Sequence, residues 1–360
     1  MERQQPHAEV PTSTAFGSNT AVPARHCTPL YTGQKQHNNS SAAMSSSSSS
    51  SPPFSPRDLM LAMAVVVIWG VNFVVMKWGL RSLTPFELGA MRYICAAFPL
   101  VLFIKPPKVH WRWVVLFGLL QGVGQFGFLF TALKVGMTAS LASVILQTQV
   151  FLTAVWTWVL LRGKPARPLI AGMCIAALGL GCLLINELRS NGTGGTTLAG
   201  LLLVLCAATS WSCSNVVVRL AQKENASYDP VAFITWGSLM PIIPFIALSA
   251  WLDDGDIGKW TQLQTWQQIP LLAWASIAYL GWIATTIGYG LWTQLIQRYS
   301  ANRVAPFSLC VPVIGLSTGM LMLGEKVTPW QWAGAVLVVL ALVVVIWGGR
   351  LVEAARRKRL

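Results

Sequence analysis

The sequence predicts an all-α integral membrane protein whose ten transmembrane helices form two inverted five-helix repeats. Three observations carry that prediction. Of the 360 residues, 54% are hydrophobic and only 11% are charged, whereas a soluble domain carries roughly 25% charged residues. Apolar stretches of about 20 residues, the length that crosses a bilayer, recur from Leu59 to the C-terminus. The last two apolar segments of each half also match one another at a fixed spacing in sequence.

The elements follow in order. Residues 1–57 are polar, low in complexity and end in the serine run Ser45–Ser51 and Pro52, Pro53 and Pro56. Such a segment buries too little apolar surface to offset its ordering entropy, so a disordered tail is expected. It lacks the basic-then-apolar order of a signal peptide, and a start at Met44 would lose no span. Spans are expected at 59–79, 86–104, 112–133, 138–161 and 168–186, then at 198–219, 230–252, 270–296, 304–323 and 330–349. The connections mark themselves by charge, Pro or Gly, as in Lys105–Lys108, Arg162–Pro165, Asn191–Gly195 and Asp253–Asp256. The domain reading is a tail over 1–57, repeats over 58–190 and 191–350, and a basic tail over 351–360.

Lys and Arg sort unevenly between the two sides. One side holds Lys105, Lys108, Arg112, Arg162, Lys164, Arg167, Arg219, Lys223, Arg298, Arg303, Arg350, Arg356, Arg357, Lys358 and Arg359. The other holds only Lys77, Arg81, Lys134, Arg189, Lys259 and Lys326. The positive-inside rule then predicts a multi-pass protein of the inner (plasma) membrane with both termini cytoplasmic. The net charge of +14 reads as topology signals beside anionic headgroups, with membrane lipid rather than nucleic acid as the partner.

The internal repeat is the most informative feature. Spans four and five match spans nine and ten at an offset of 162, pairing Gly172 with Gly334, Ala171 with Ala333, Lys164 with Lys326 and Ala139 with Ala301. Trp69 and Asn72 of span one echo Trp211 and Asn215 of span six, and Pro99 and Pro241 interrupt spans two and seven at like depths. Five is odd, so the second copy enters the membrane inverted. Inverted repeats of this kind recur in secondary transporters, with a solute site at the midplane.

Candidate site residues follow from depth and polarity. Arg92 lies within span two, where an ionisable group is a functional candidate or a partner for backbone carbonyls. Glu87 sits in the first turn of the same span, where a carboxylate suits the helix dipole. Gln121 and Gln125 share a face of span three; Gln147 and Gln149 lie in span four; Asn72, Ser214 and Asn215 come from spans one and six. Such amides bind a zwitterionic solute by hydrogen bonds without carrying charge, and can equally glue helices together. Trp69, Trp211, Trp236 and Tyr289 lie deep enough to line a cavity, while Trp78, Trp111, Trp113, Trp330 and Trp347 suit interfacial anchoring. Gly118-x-x-x-Gly122 and Gly315-x-x-x-Gly319 offer small-residue faces for close helix contact. Pro306 and Pro312 in span nine correspond to Val144 and Val150 at the repeat offset, so span nine is expected to be a kinked or gating helix.

Several function classes are excluded by absence of motif. There is no Gly-rich phosphate loop, no HExxH, no nucleophile elbow and no deep aspartate pair, so no enzyme, metal or cofactor is expected. Six cysteines lie within apolar helices without CxxC spacing and read as packing residues.

The stretch Val65–Lys77, with Trp69 and Asn72, resembles the first helix of the EamA-type drug/metabolite transporters. The likeness continues through Leu141–Gln149, Trp236–Phe245, Gly288–Gly290 and Arg303–Gly315, and within the family it is similar to exporters of O-acetylserine and cysteine. The resemblance implies a ten-helix inverted-repeat fold, cytoplasmic termini and export of small amino-acid metabolites, or more broadly of other amino acids, purines or drugs. The family often ends its fourth and ninth helices with Gly-Glu; Gly324-Glu325 keeps this, whereas Gly163 stands at the matching first-half position.

Overall fold

A computed structural model describes residues 54–161, 167–190, 196–225, 228–253, 257–299 and 304–357. Residues 1–53 of the tail expected over 1–57, the linkers 162–166, 191–195, 226–227, 254–256 and 300–303, and residues 358–360 lie outside the described residues; the first helix already begins at Pro56, within the expected tail. Gly163, Lys164 and Arg303 fall among them.

Every described element is helical. Eight helices are long and apolar enough to cross a membrane: Pro56–Gly79, Pro85–Leu102, Trp111–Lys134, Ala139–Trp156, Arg167–Asn186, Leu198–Glu224, Pro230–Leu252 and Leu271–Leu295. Two shorter apolar helices, Phe307–Leu323 and Pro329–Val345, complete the set. In chain order these are spans one to ten. Backbone groups in hydrocarbon have no water to bond, so each segment must satisfy its own N–H and C=O groups, and a helix does so within one chain.

The starts of the spans are written in short polar–proline pairs. Ser55 caps span one by accepting from Asp58 N, with Pro56 in the first turn. Thr84 and Glu87 form a reciprocal capping box ahead of span two, with Pro85 at its start. Asp229 and Pro230 open span seven in the same way, and Thr328 and Gln331 exchange cap bonds at span ten. The side chain satisfies an orphan N–H, and proline has none to satisfy. Glu87 therefore has the first-turn role expected of it, and it also pairs with Lys259 at 2.5 Å.

Polar contacts between span ends obey strict alternation. The near face is taken here as the side where Pro56 begins span one. On it, Asp58 accepts from Arg298 Nη1 at 2.6 Å and from Tyr299 Oη at 2.6 Å, joining span one to the end of span eight. Arg112 pairs with Glu224 there too, and Trp113 Nε1 donates to the same carboxylate at 2.8 Å. On the far face Lys134 Nζ donates to Leu80 O at 2.9 Å, and Thr328 Oγ1 to Asn186 Oδ1 at 2.6 Å.

The repeat is visible in contacts. A Cβ on Gly172 would lie 3.0 Å from Ala341 O, and one on Gly179 would lie 2.9 Å from Gly334 O. Residues 334 and 341 are 172 and 179 advanced by the repeat offset, so the two contacts are one contact made twice. That reciprocity is the signature of a two-fold interface, here between spans five and ten of a single chain. Its glycines let the backbones approach closely.

Four helix irregularities recur in pairs. Span three carries a π-helical stretch at Gly118–Phe126 and span eight another at Tyr279–Ile287. Span two breaks at Phe98–Pro99, and span seven between Gly237 and Ile242, as the prolines predicted. Each π stretch lies against the broken span of the other copy: Gly118 and Gly122 touch Gly237, Met240 and Pro241, while a Cβ on Gly281 would stand 3.0 Å from Arg92 O.

The interruption expected of span nine has a counterpart in span four. Span nine begins with a 3₁₀ turn at Ala305–Leu309 containing Pro306, and its α-helix starts at Cys310 with Pro312 in the first turn. Span four, which has no proline, carries its own 3₁₀ turn at Leu146–Thr148. Proline is thus tolerated in span nine because a first-turn N–H lacks a helical acceptor in any case. The interruption belongs to both copies.

Close backbone packing between spans five and ten gives a direct prediction. Gly334→Val must displace Gly179 O and the Leu183 side chain, both within 2.8 Å of the added Cβ, and should destabilise by about 1–3 kcal/mol. Gly181→Val on span five meets nothing within 4 Å and should leave the melting temperature in detergent unchanged. Equal melting of both variants would contradict the interface.

Candidate functional site

The paired irregularities turn polar residues toward the interior. Backbone bonding in a π stretch steps to the fifth preceding carbonyl, and such stretches are frequent at functional sites. In span eight, Thr285 Oγ1 donates to Leu280 O at 2.8 Å, five residues back. The same oxygen accepts from Arg92 Nη2 at 3.0 Å. Thr285 thus fixes one arm of the guanidinium, because its own proton is already committed.

Arg92 is almost fully buried, at 2% exposure. Its Cζ lies 3.7 Å from the centre of the Phe126 ring, a cation–π contact of the kind that arginine makes most often. Its Nε and Nη1 have no hydrogen-bond partner. The ion pairs among the described residues are Arg112–Glu224, Lys259–Glu87 and Arg298–Asp58, and Arg92 belongs to none of them. A buried cation without a carboxylate is costly in a low-dielectric interior.

An amide network adjoins it. Gln121 Nε2 donates to Gln125 Oε1 and, at 3.3 Å, to Tyr289 Oη, while Gln121 Oε1 accepts from Ser214 Oγ. The i, i+4 pairing of the two glutamines expected from sequence is present, on a π rather than an α stretch. Arg92, Gln121, Phe126, Ile234, Thr285 and Tyr289 line one crevice enclosing about 20 Å³, room for roughly one water molecule. Tyr289 and Thr285 also line its continuation beside Ser238 and Thr286.

The other candidates lie around this centre. Trp69 packs its ring 5.2 Å from Tyr289 and donates Nε1 to Ala284 O at 3.1 Å. Gln147 sits in the 3₁₀ turn of span four and donates to Ser308 O at 3.1 Å, in the 3₁₀ turn of span nine. The two interruptions therefore meet, with the Gln147 side chain donating to a carbonyl of the span-nine turn. Gln149 Oε1 accepts from Asn215 Nδ2 at 2.9 Å, tying span four to span six. Asn72 is buried with Oδ1 unpartnered and only a weak contact to Met76 Sδ. Trp211 packs half-buried on the main core. Trp236 instead donates Nε1 to Ile104 O at 2.9 Å and meets Trp111 edge-on, toward the near face.

Sequence reading passed over Thr285, Phe126 and Tyr93, whose ring lines the same crevice with its centre 5.8 Å from Arg92 Cζ. Thr285 could have been found as a polar residue one turn before Tyr289 on span eight. Phe126 and Tyr93 carried no signal, since aromatic residues in a membrane helix are ordinarily packing.

Comparison with known proteins agrees with this architecture. The EamA-like transporter family matches the chain twice, over residues 57–185 and 198–347, one match in each half. A probable amino-acid metabolite efflux pump of Salmonella typhimurium is 38% identical over 302 residues, covering 84% of this chain and 99% of that protein. A protein of the same description in Escherichia coli is 36% identical over 302 residues, with coverage of 84% and 99%. A solved crystal structure, 18% identical, superposes with a TM-score of 0.55 over 82% of this chain and 99% of its own. That likeness bears on the fold alone.

An unpaired buried charge makes a testable prediction about stability. Arg92→Met keeps an unbranched, flexible apolar stem, shorter than arginine, and removes the charge, so the protein in detergent should melt at the same temperature or higher. A fall of several degrees would mean that the guanidinium is a structural keystone rather than a ligand-binding group.

Proposed function

The chain belongs to the EamA-like transporter family, and from that premise we propose that it exports small amino-acid metabolites, foremost cysteine and O-acetylserine, by alternating access around Arg92. One observation carries the reading: a buried guanidinium with two nitrogens lacking hydrogen-bond partners, Nε and Nη1. An amino-acid carboxylate is the natural complement, since arginine presents its donors in a planar fork matched to two oxygens. Gln121 and Tyr289 border the same crevice and bear oxygens able to accept from the solute's ammonium group. Thr285 holds the fork in place, and Phe126 lies beneath it.

The crevice holds about one water, so a solute of amino-acid size enters only when the surrounding spans part. Spans three and seven meet across Gly118, Gly122 and Gly237, on which the side chains of Met240, Pro241 and Phe117 are seated. In this reading the broken span seven slides on the glycine face of span three as one copy rocks against the other. Gln147 at the meeting of the 3₁₀ turns, with Pro306 and Pro312 beyond it, forms the hinge region in this reading. The charge bias of the loops supports cytoplasmic termini in the inner membrane.

The names of the two relatives at 38% and 36% identity support an amino-acid metabolite as cargo. The narrower choice of cysteine and O-acetylserine rests on the sequence resemblance.

Efflux from preloaded proteoliposomes decides the matter. Labelled cysteine and O-acetylserine should leave saturably, each competing with the other, and empty vesicles should show nothing. Arg92→Gln should reduce efflux at least about tenfold at normal membrane content, the loss of a charge-assisted bond of roughly 1.5–3 kcal/mol. Decarboxylated analogues should fail to compete. Equal competition by an amine and its parent amino acid would remove Arg92 from its role.

A further inference from the structure

A second cationic feature lies away from the Arg92 crevice. Where spans one, three, four, nine and ten meet on the far face, a cleft of about 740 Å³ opens. Lys77, Arg81, Lys134 and Lys326 line it, with Glu325 as its one carboxylate. Glu325 does not neutralise these cations by contact. Its Oε1 accepts from Ala139 N at 2.8 Å and its Oε2 from Ser140 N at 2.9 Å, so it caps the start of span four. Lys134 Nζ donates to Leu80 O. Among the described residues none of the four cations forms an ion pair.

Their placement is informative against the rest of the chain. The loop charge count assigned six Lys and Arg to the poorer side, and four of those six line this single cleft. A basic residue on that side works against the topology signal, and clustering four of them adds mutual repulsion. Walls of low dielectric around one sign of charge focus the field and raise the local concentration of counter-ions. The volume falls within the range of ligand-binding clefts.

We propose that this cleft is a binding site for a small multivalent anion bearing carboxylate or phosphate groups, separate from the Arg92 crevice. Lys77, partly buried, and Lys326, next to Glu325, are its principal contacts. Lys134 and Arg81 close the rim. The site holds whether or not the transported solute is an amino acid, because it depends on none of the crevice residues.

Calorimetric titration with citrate tests it, using purified protein in phosphatidylcholine nanodiscs at constant ionic strength set by chloride. Saturable binding is expected. The double variant Lys77→Gln, Lys326→Gln should bind roughly tenfold more weakly or worse, at an unchanged melting temperature. Lys259→Gln, whose ammonium pairs with Glu87 on the same face, should bind as the parent does. Repeating the titration in nanodiscs containing phosphatidylglycerol separates the sources: weakened citrate binding there assigns the site to a lipid headgroup, and unchanged binding assigns it to a soluble anion. The proposal is overturned if parent and double variant bind citrate alike, or if neither binds it.

Discussion

The structure depends on one constraint: a peptide group inside a bilayer must find its hydrogen-bond partner within the protein. Helices meet it almost automatically, and each departure from an α-helix needs a partner from elsewhere. The departures here are consequently interior and facing. Gln147, in the 3₁₀ turn of span four, reaches the carbonyl of Ser308 in the 3₁₀ turn of span nine. The threonine hydroxyls of span eight bond carbonyls within their own π stretch. Irregular backbone at membrane depth is stable where it is buried in protein or lines a cavity, which is why the irregular segments and the polar crevice coincide.

Duplication explains why these features come in pairs. The same glycine contact is made at 172–341 and at 179–334, and π stretches of equal length fall in spans three and eight. Such a frame has two nearly equivalent arrangements of its halves, the requirement for opening to one side and then the other. The chemistry is not duplicated. Advancing Arg92 by the spacing of Pro99 and Pro241 leads to Ile234, which borders the same crevice without a charge. Glu325 caps span four, whereas its counterpart is Gly163. A symmetric scaffold thus carries an asymmetric set of polar residues, with a single buried guanidinium.

Charge is used sparingly and differently at three depths. At the near face, Asp58 with Arg298 and Glu224 with Arg112 tie span ends together. At the centre, Arg92 has aromatic and hydroxyl neighbours but no carboxylate. At the far face, four cations share a cleft with a carboxylate already held by backbone N–H groups. Paired charges hold the frame, and the unpaired ones are where ligands of opposite sign gain most.

Hydropathy, loop charge and the repeat offset determined the number of spans, their boundaries to within a few residues at most ends, and the proline breaks of spans two and seven. These are local or periodic properties, so a linear reading captures them. Arg92, Gln121 and Tyr289 were also legible as candidates, because a polar group in an apolar run stands out. Which of the polar residues meet was decided only by tertiary structure. Gln149 and Asn215 satisfy each other, and Trp236 turns toward Ile104, because helix rotation and the extra residue of a π turn set where a side chain points. Thr285 and Phe126 became site residues only by standing beside Arg92. The 3₁₀ turn of span four has no proline to announce it, and its contact with span nine through Gln147 and Ser308 joins residues far apart in sequence.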